Sequence, residues 1–308
     1  MSGERRVSGA RGWEVQALTV AGAAVVVQTA LVVLVARFAT LVRDRPERDG
    51  GPDRFLVELP FIVCFGVPLG LLVSLFLVLP TAAVAARLGR RFTGREAWWW
   101  VPVVAAVVAG AVVAGAGALG ATGTGGGLRW LGGTAAITVA ASLARLATRR
   151  VREGRPVGLT ARTYAAGAGS VVAVYVIGGL LFGTGLVDEY RPPRVSADRL
   201  AGTWVDGRGG SLRLAPDGTA TAVGVTDRDY TVGDADRTAR RCDSTGTWTY
   251  TGDDNPWLQS VTIEVPGCAG SDWAALTISG TPHSPRLNVR YGDVDAPSWY
   301  TFTRRDEG

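Results

Sequence analysis

The apolar residues of this chain are confined to one part of it. Five apolar stretches fill the first 187 residues; from Asp188 to Gly308 the chain is polar, rich in Asp, Gly and Thr, and broken into short strand-like segments. A stretch of roughly 20 apolar residues is what an α-helix needs to cross a bilayer. The break therefore predicts an α-helical transmembrane domain of about five helices over residues 1–187, a linker over 188–197, and a C-terminal all-β antiparallel domain over 198–308. Mean hydropathy is positive despite the polar third, as expected for apolar content concentrated in spans.

The spans are expected at about Val15 to Leu41, Phe55 to Ala85, Ala97 to Gly120, Leu131 to Ala147 and Tyr164 to Val187. The fourth is the weakest. Thr134, Thr138 and Ser142 dilute it, and Arg145 sits near its end. The first apolar run exceeds twenty residues and has no clean small-x-small site after it, so it reads as an uncleaved helix rather than a signal peptide.

Every one of the 32 basic residues is Arg. Their placement bears on orientation, because cytoplasmic loops of membrane proteins carry the excess of positive charge. Arg5, Arg6 and Arg11 precede the first span. Arg87, Arg90, Arg91 and Arg95 follow the second, and Arg149, Arg150, Arg152, Arg155 and Arg162 follow the fourth. The opposite side receives Arg129 and the group Arg43, Arg45, Arg48 and Arg54. Twelve against five favours a cytoplasmic N-terminus and, with five crossings, an extracellular C-terminal domain. If the fourth span does not cross, the domain lies inside. The same placement explains the basic net charge of +5 and argues against a nucleic-acid partner.

Three features of the helical part are candidates for more than anchoring. Pro68, between Gly66 and Gly70, is expected to kink the second helix. Arg37 and Glu58 lie near the outer ends of neighbouring helices and are expected to form an intramembrane ion pair. Gly110, Gly115, Gly117, Gly120 and Gly179-x-x-x-Gly183 have the spacing that lets helices approach closely. Trp13, Trp98, Trp99, Trp100 and Trp130 mark the interfaces. The Gly123 to Gly127 stretch lacks the Lys-Ser/Thr of a phosphate loop and reads as an outer turn.

In the polar domain, strand signals fall at Gly202 to Val205, Ser211 to Ala215, Thr219 to Val225, Thr245 to Thr251, Ser260 to Val265, Ala274 to Ser279, Arg286 to Tyr291 and Trp299 to Arg304. Eight short strands in about 110 residues suggest a small barrel or a sandwich. Cys242 and Cys268 are the only cysteines here and are expected to form a disulfide in an oxidising space, stabilising the fold by roughly 3 kcal/mol. Cys64 reads as a small hydrophobe within the second span. Arg191-Pro192-Pro193-Arg194 reads as a stiff linker.

Gly202-Thr203-Trp204, the Asp217-Gly218 turn, the second triplet Gly246-Thr247-Trp248, and the closing Tyr300-Thr301-Phe302-Thr303-Arg304 together resemble the lipocalin-like extracytoplasmic domains appended to actinobacterial membrane proteins and lipoproteins. The resemblance covers the C-terminal third only. It implies that Trp204 plugs one end of a barrel, with Arg304 (or Arg305) from the last strand stacked upon it. Trp257, after Asn255-Pro256, reads as a loop residue of little consequence.

Catalysis and cofactors have no support. The single histidine, His283, lies among prolines; no nucleophile motif is present; Asp253-Asp254-Asn255 and Asp293-x-Asp295 lack the rest of a calcium loop. The expected protein is a non-enzymatic, multi-pass membrane protein without a cofactor, its partners being membrane lipid and a small amphipathic ligand or another envelope protein. A transport or channel subunit with an external accessory domain is the alternative. No acidic residue sits at the centre of any span, which weighs against proton-coupled transport.

Overall fold

The structure, a computed structural model, describes residues 4–48, 53–94, 98–118, 126–153, 158–227, 240–268, 275–292 and 297–305, with the side chains of 4–14 and of a few further residues left aside. Arg95, Gly120, Arg155, Ala274, Asp293, Asp295 and most of the Gly123 to Gly127 stretch lie outside the described residues, as do the side chains of Arg5, Arg6, Arg11, Trp13 and Arg152. The chain forms two compact units. One contains Met1–Thr40 and Gly50–Val187; the other contains Leu41–Asp49 and Asp188–Gly308.

The helical unit contains α1 (Glu4–Leu41), α2 (Asp53–Thr93), α3 (Trp100–Ala118), α4 (Gly126–Arg152) and α5 (Leu159–Gly183). Five helices are thus long and apolar enough to cross a membrane, the fourth among them. Helices are the natural solution for such stretches, since each satisfies its own backbone hydrogen bonds. α1 is the central one: Ala17, Ala21, Ala24, Ala30 and Leu34 are buried along it, against α2, α3 and α4 on one side and α5 on another.

Small residues permit the closest approaches. A side chain at Gly22 would meet Leu71, and one at Gly70 would meet Val26 and the Gly22 carbonyl. Gly167 admits Val27, and Gly178 admits Phe38. Of the glycines expected to mediate packing, Gly110 meets the Trp130 ring of α4, whereas Gly115, Gly117, Gly179 and Gly183 have open space around them among the described residues.

α2 runs as a helix through Pro60 and Pro68. A π turn follows at Ser74–Val78. Pro80 explains it. Proline lacks an N–H and crowds the carbonyl four residues back, here Phe76. The Leu79 N–H bonds instead to the Ser74 carbonyl, one residue further than α geometry requires. Cys64 faces outward from α2 rather than into the bundle.

The second unit is a closed antiparallel barrel, not a sandwich. It comprises β1 (Gly202–Val205), β2 (Ser211–Leu214), β3 (Thr219–Asp227), β4 (Arg240–Thr251), β5 (Ser260–Glu264), β6 (Leu276–Gly280), β7 (Pro285–Gly292) and β8 (Pro297–Arg304). Each strand pairs with its neighbours in sequence, and β8 closes on β1. Strands alternate inward and outward, so Leu212 and Leu214, Val261 and Ile263, Leu276 and Ile278, and Leu287 and Val289 all face the core. Ala220 and Ala222 sit opposite Leu214 and Leu212, the small-beside-large pattern that fits side chains into a narrow barrel. A short helix, α6 (Ala197–Leu200), precedes β1.

Two glycines shape the strands. Gly224 adopts φ +61° at the register shift in β3, where it makes a β-bulge. Gly246 lies so close to the Glu264 carbonyl that no side chain fits.

Candidate functional site

The barrel's interior is filled rather than hollow around its core residues. Trp204, Leu212, Leu214, Ala220, Val261, Leu276, Leu287 and Phe302 expose none of their surface, so no water-sized space adjoins them. What the barrel offers to other molecules must therefore lie at its ends and outer face.

One end is sealed by the residues that the G-x-W triplet brought forward. Trp204 is fully buried and donates its indole N–H to the Leu200 carbonyl of α6 at 2.9 Å. Arg304 is its register partner on β8. The guanidinium donates to the Arg199 carbonyl at 2.7 Å and the Ala201 carbonyl at 3.2 Å. Among the described residues Arg304 thus closes this end by gripping the C-terminus of α6, and no stacking on the Trp204 ring is found. The reason is local: four last-turn carbonyls of any helix lack partners, and a cation there satisfies them.

The segment 188–197, read from sequence as a linker, is held against the same end. Pro192 and Pro193 are buried. Gln259 donates to the Pro193 carbonyl at 3.2 Å and accepts from the Val195 N–H at 3.2 Å; Tyr250 donates to the Val195 carbonyl at 2.8 Å. Burial holds the Tyr250 phenol above its usual range. The proline pair therefore docks instead of spacing.

The outer face of the barrel carries an element that sequence reasoning missed. Residues 41–48, between α1 and α2, form a strap over β6 and β7. Asp44 accepts from the Gly280 N–H at 3.0 Å and from Arg286 at 3.2 Å. Glu47 pairs with Arg290 at 3.5 Å. Arg286, Asn288 and Arg290 share one face of β7, and Asn288, between the two strapped arginines, is buried at 2% exposure. Gly280 is required here: its φ is +91°, and the Ser284 carbonyl occupies the place of a side chain. The Tyr190 N–H donates to the Leu41 carbonyl at 2.8 Å, and its hydroxyl donates to the Gly280 carbonyl at 3.2 Å. Burial and the adjacent Asp44 push this phenol far above its ordinary range, so it remains a neutral donor.

Arg45 anchors the strap. It is buried, donates to Glu189 at 3.5 Å, and lies over the ring of Trp257, 5.3 Å from its centroid. Trp257 in turn meets Tyr190 edge-on at 5.9 Å. The expectation that Trp257 is an inconsequential loop residue is thus corrected: it is in a loop, but clamped between a cation and a phenol. No sequence signal pairs Asp44 with Gly280, which lie 236 residues apart. The only hint was that Arg43, Arg45 and Arg48 sat on the side where few arginines were expected.

The opposite end carries the β1–β2, β3–β4, β5–β6 and β7–β8 connections. The described part is tightly organised. Cys242 and Cys268 form a disulfide that ties β4 to the β5–β6 connection. Asp206 collects the Tyr300 hydroxyl and the N–H groups of Arg208 (2.7 Å) and Gly210 (2.8 Å). Burial pushes its carboxyl up, but these hydrogen bonds outweigh it and hold it below the usual carboxylate range.

In the helical unit, Arg37 of α1 meets Glu58 of α2 in a two-pronged contact, and Arg54 joins Glu58 at 3.5 Å from one turn away. His283 is exposed in the β6–β7 turn. Asp253 accepts from the Asn255 N–H and Asn255 from the Trp257 N–H, which is turn chemistry. Among the described residues no group of His, Cys, Asp and Glu is placed to hold a metal.

Family models, curated proteins and solved structures give no match to this chain. It combines five helices able to cross a membrane with a disulfide-tied barrel, and its residues alone carry the functional argument.

Proposed function

We propose that the chain is a non-enzymatic membrane protein that displays a lipocalin-like barrel on the extracellular side, with its N-terminus in the cytoplasm. The strap carries this reading. Leu41–Asp49 and Asp188–Gly308 belong to one compact unit, which supports both lying on one side of a membrane. That supports an even number of crossings between them, and α2 to α5 supply four candidates. The doubtful fourth span is thereby favoured as a true crossing.

The strap also accounts for one of the arginines that opposed the topology, and Arg54 has an acidic partner on its own helix. Arg45 is engaged by Glu189 and Trp257, and Arg54 by Glu58. The Arg45 side chain is buried instead of facing anionic lipid, whereas Arg54 stays exposed beside its acidic partner. The remaining clusters, after α2 and α4, then agree in favouring a cytoplasmic position. The disulfide supports the same side for the barrel, since such bonds persist in oxidising compartments.

Within this reading the barrel is a display module for another envelope component, of the kind found on actinobacterial membrane proteins. Its core is filled, and its α6 end is sealed by Trp204 and Arg304, which leaves the disulfide-tied end for recognition. Alkaline phosphatase fused after Gly308 is expected to be active, and fused after Arg91 inactive. Activity at Arg91 with none at Gly308 would reverse the orientation.

A further inference from the structure

The barrel unit shows few large apolar side chains on its surface. Among its described residues the exposed ones are Val42, Val223 and Leu258, at 48%, 52% and 60%. Val223 lies on β3, next to the Gly224 bulge. The other two belong to one assembly: Val42 is in the strap, and Leu258 is in the β4–β5 loop that Arg45 of the strap holds through Trp257.

A single exposed leucine needs no explanation by itself. Its setting does. The Leu258 N–H donates to the Asn255 carbonyl at 2.9 Å, and the Trp257 N–H donates to the Asn255 side chain at 3.1 Å. Trp257, just before it, is half-buried between Arg45 and Tyr190. Gln259, just after it, is buried and bonded to Pro193 and Val195. Leu258 is thus held out of the protein between two fixed neighbours, in a loop closed by its own hydrogen bonds. Chain connectivity then says where this loop lies. Leu41 ends one candidate span, Val42 follows it, and the strap returns to the next span at Asp53. The Leu41 carbonyl accepts from the Tyr190 N–H at 2.8 Å, and the Tyr190 ring meets Trp257. One residue therefore links the end of α1 to the loop that carries Leu258.

We infer that the strap and the β4–β5 loop seat the barrel on the lipid surface, with Val42 and Leu258 entering the boundary between headgroups and acyl chains. The polar layer on each side of the hydrocarbon core is only roughly 5–8 Å deep, so a loop one residue removed from the end of a span lies at its edge. Apolar side chains that reach this boundary are stabilised by leaving water. Trp257 suits the same layer, since its ring has an apolar body and a polar edge. Val223 has no such tie to a span end and stays in water. The inference rests on α1 and α2 lying in a membrane. It does not depend on which way they face or on what the barrel recognises.

The test uses the full chain in a Cys64→Ala background, with the Cys242–Cys268 bond intact and one nitroxide label on Leu258→Cys, Val42→Cys or Val223→Cys. In phosphatidylcholine nanodiscs, power-saturation electron paramagnetic resonance compares collisions with oxygen, which concentrates in the bilayer, and with a water-soluble nickel complex. The ratio of oxygen to nickel accessibility should be several-fold higher for the Leu258→Cys and Val42→Cys labels than for the Val223→Cys label, although the three parent side chains are similarly exposed. A water-like ratio at Leu258→Cys or at Val42→Cys would overturn the seating. So would a lipid-like ratio at Val223→Cys, or low accessibility of the Leu258→Cys label to both reagents, the mark of a protein partner or a second copy covering it. Nanodiscs expose both bilayer faces, so the readout is blind to orientation: a failure here leaves extracellular display standing, and a reversed orientation leaves the seating standing.

Discussion

Neutralising Glu189 should destabilise the barrel unit more than removing Arg45 as well. Arg45 is 8% exposed and Glu189 is its acidic partner at 3.5 Å. Breaking a fully buried ion pair by removing one member costs about 3–5 kcal/mol, because the remaining charge is stranded. Glu189 retains 29% of its side-chain exposure, so solvent screens part of the interaction and the cost of Glu189→Gln should fall to about 1–3 kcal/mol. Arg45→Met forfeits the contact with Trp257, worth roughly 0.5–2 kcal/mol, but strands nothing. Adding Glu189→Gln to Arg45→Met should then cost little more. The coupling expected from the double-mutant cycle is about 1–2 kcal/mol. For a unit of this size, 1 kcal/mol moves the melting temperature by roughly 3–6 °C. Near-ultraviolet circular dichroism of the full chain in micelles, dominated by its tryptophans and tyrosines, would follow the transition. Additive single effects, or a Glu189→Gln protein as stable as the parent, would refute the buried-pair account of the strap.

Three further outcomes follow from the contacts described. Trp204→Ala should cost about 3–5 kcal/mol by emptying the core and freeing the Leu200 carbonyl, against about 1–3 kcal/mol for Trp257→Ala, which loses one aromatic and one cation contact; a larger loss at Trp257 would invert the roles assigned to the two rings. Removing Arg37 or Glu58 singly should destabilise the helical unit more than removing both, read by detergent-induced unfolding, with additivity as the contrary result. Reducing the Cys242–Cys268 bond, which spans 26 residues, should lower barrel stability by about 3–4 kcal/mol on the chain-entropy model, and peptide maps made without reductant should show the crosslinked pair; two freely alkylated thiols in protein from its native membrane would contradict the extracellular placement.

Much of the barrel could be read from sequence because a half-buried strand alternates. Leu212 and Leu214, or Val261, Ile263 and Val265, announce an inward face without tertiary information. Closure of β8 on β1 was legible only through the Gly202-Thr203-Trp204 triplet and the terminal Arg304, and even there the partner of the guanidinium was the α6 backbone, not the indole. Helix packing was less legible. In a chain with 42 glycines the spacing of Gly179 and Gly183 carries little information, while the approach of Gly22 to α2 depends on which faces meet. The π turn follows from Pro80, whose effect falls on residues preceding it. Arg145 looked like a defect in the fourth span, yet it lines a cavity with three other arginines. The strap was invisible because single side chains make its contacts across long stretches of chain, Asp44 reaching Gly280 and Arg286 more than two hundred positions away.

The central claim, that residues 41–48 and the barrel share the outer face, is tested most directly by labelling single cysteines in intact cells with a membrane-impermeant maleimide. In a Cys64→Ala background, Arg43→Cys in the strap and Val223→Cys, at a position 52% exposed on the barrel, should both react without permeabilisation, and Arg91→Cys only after it. Labelling of Val223→Cys without Arg43→Cys, or of Arg91→Cys together with either, would contradict the account.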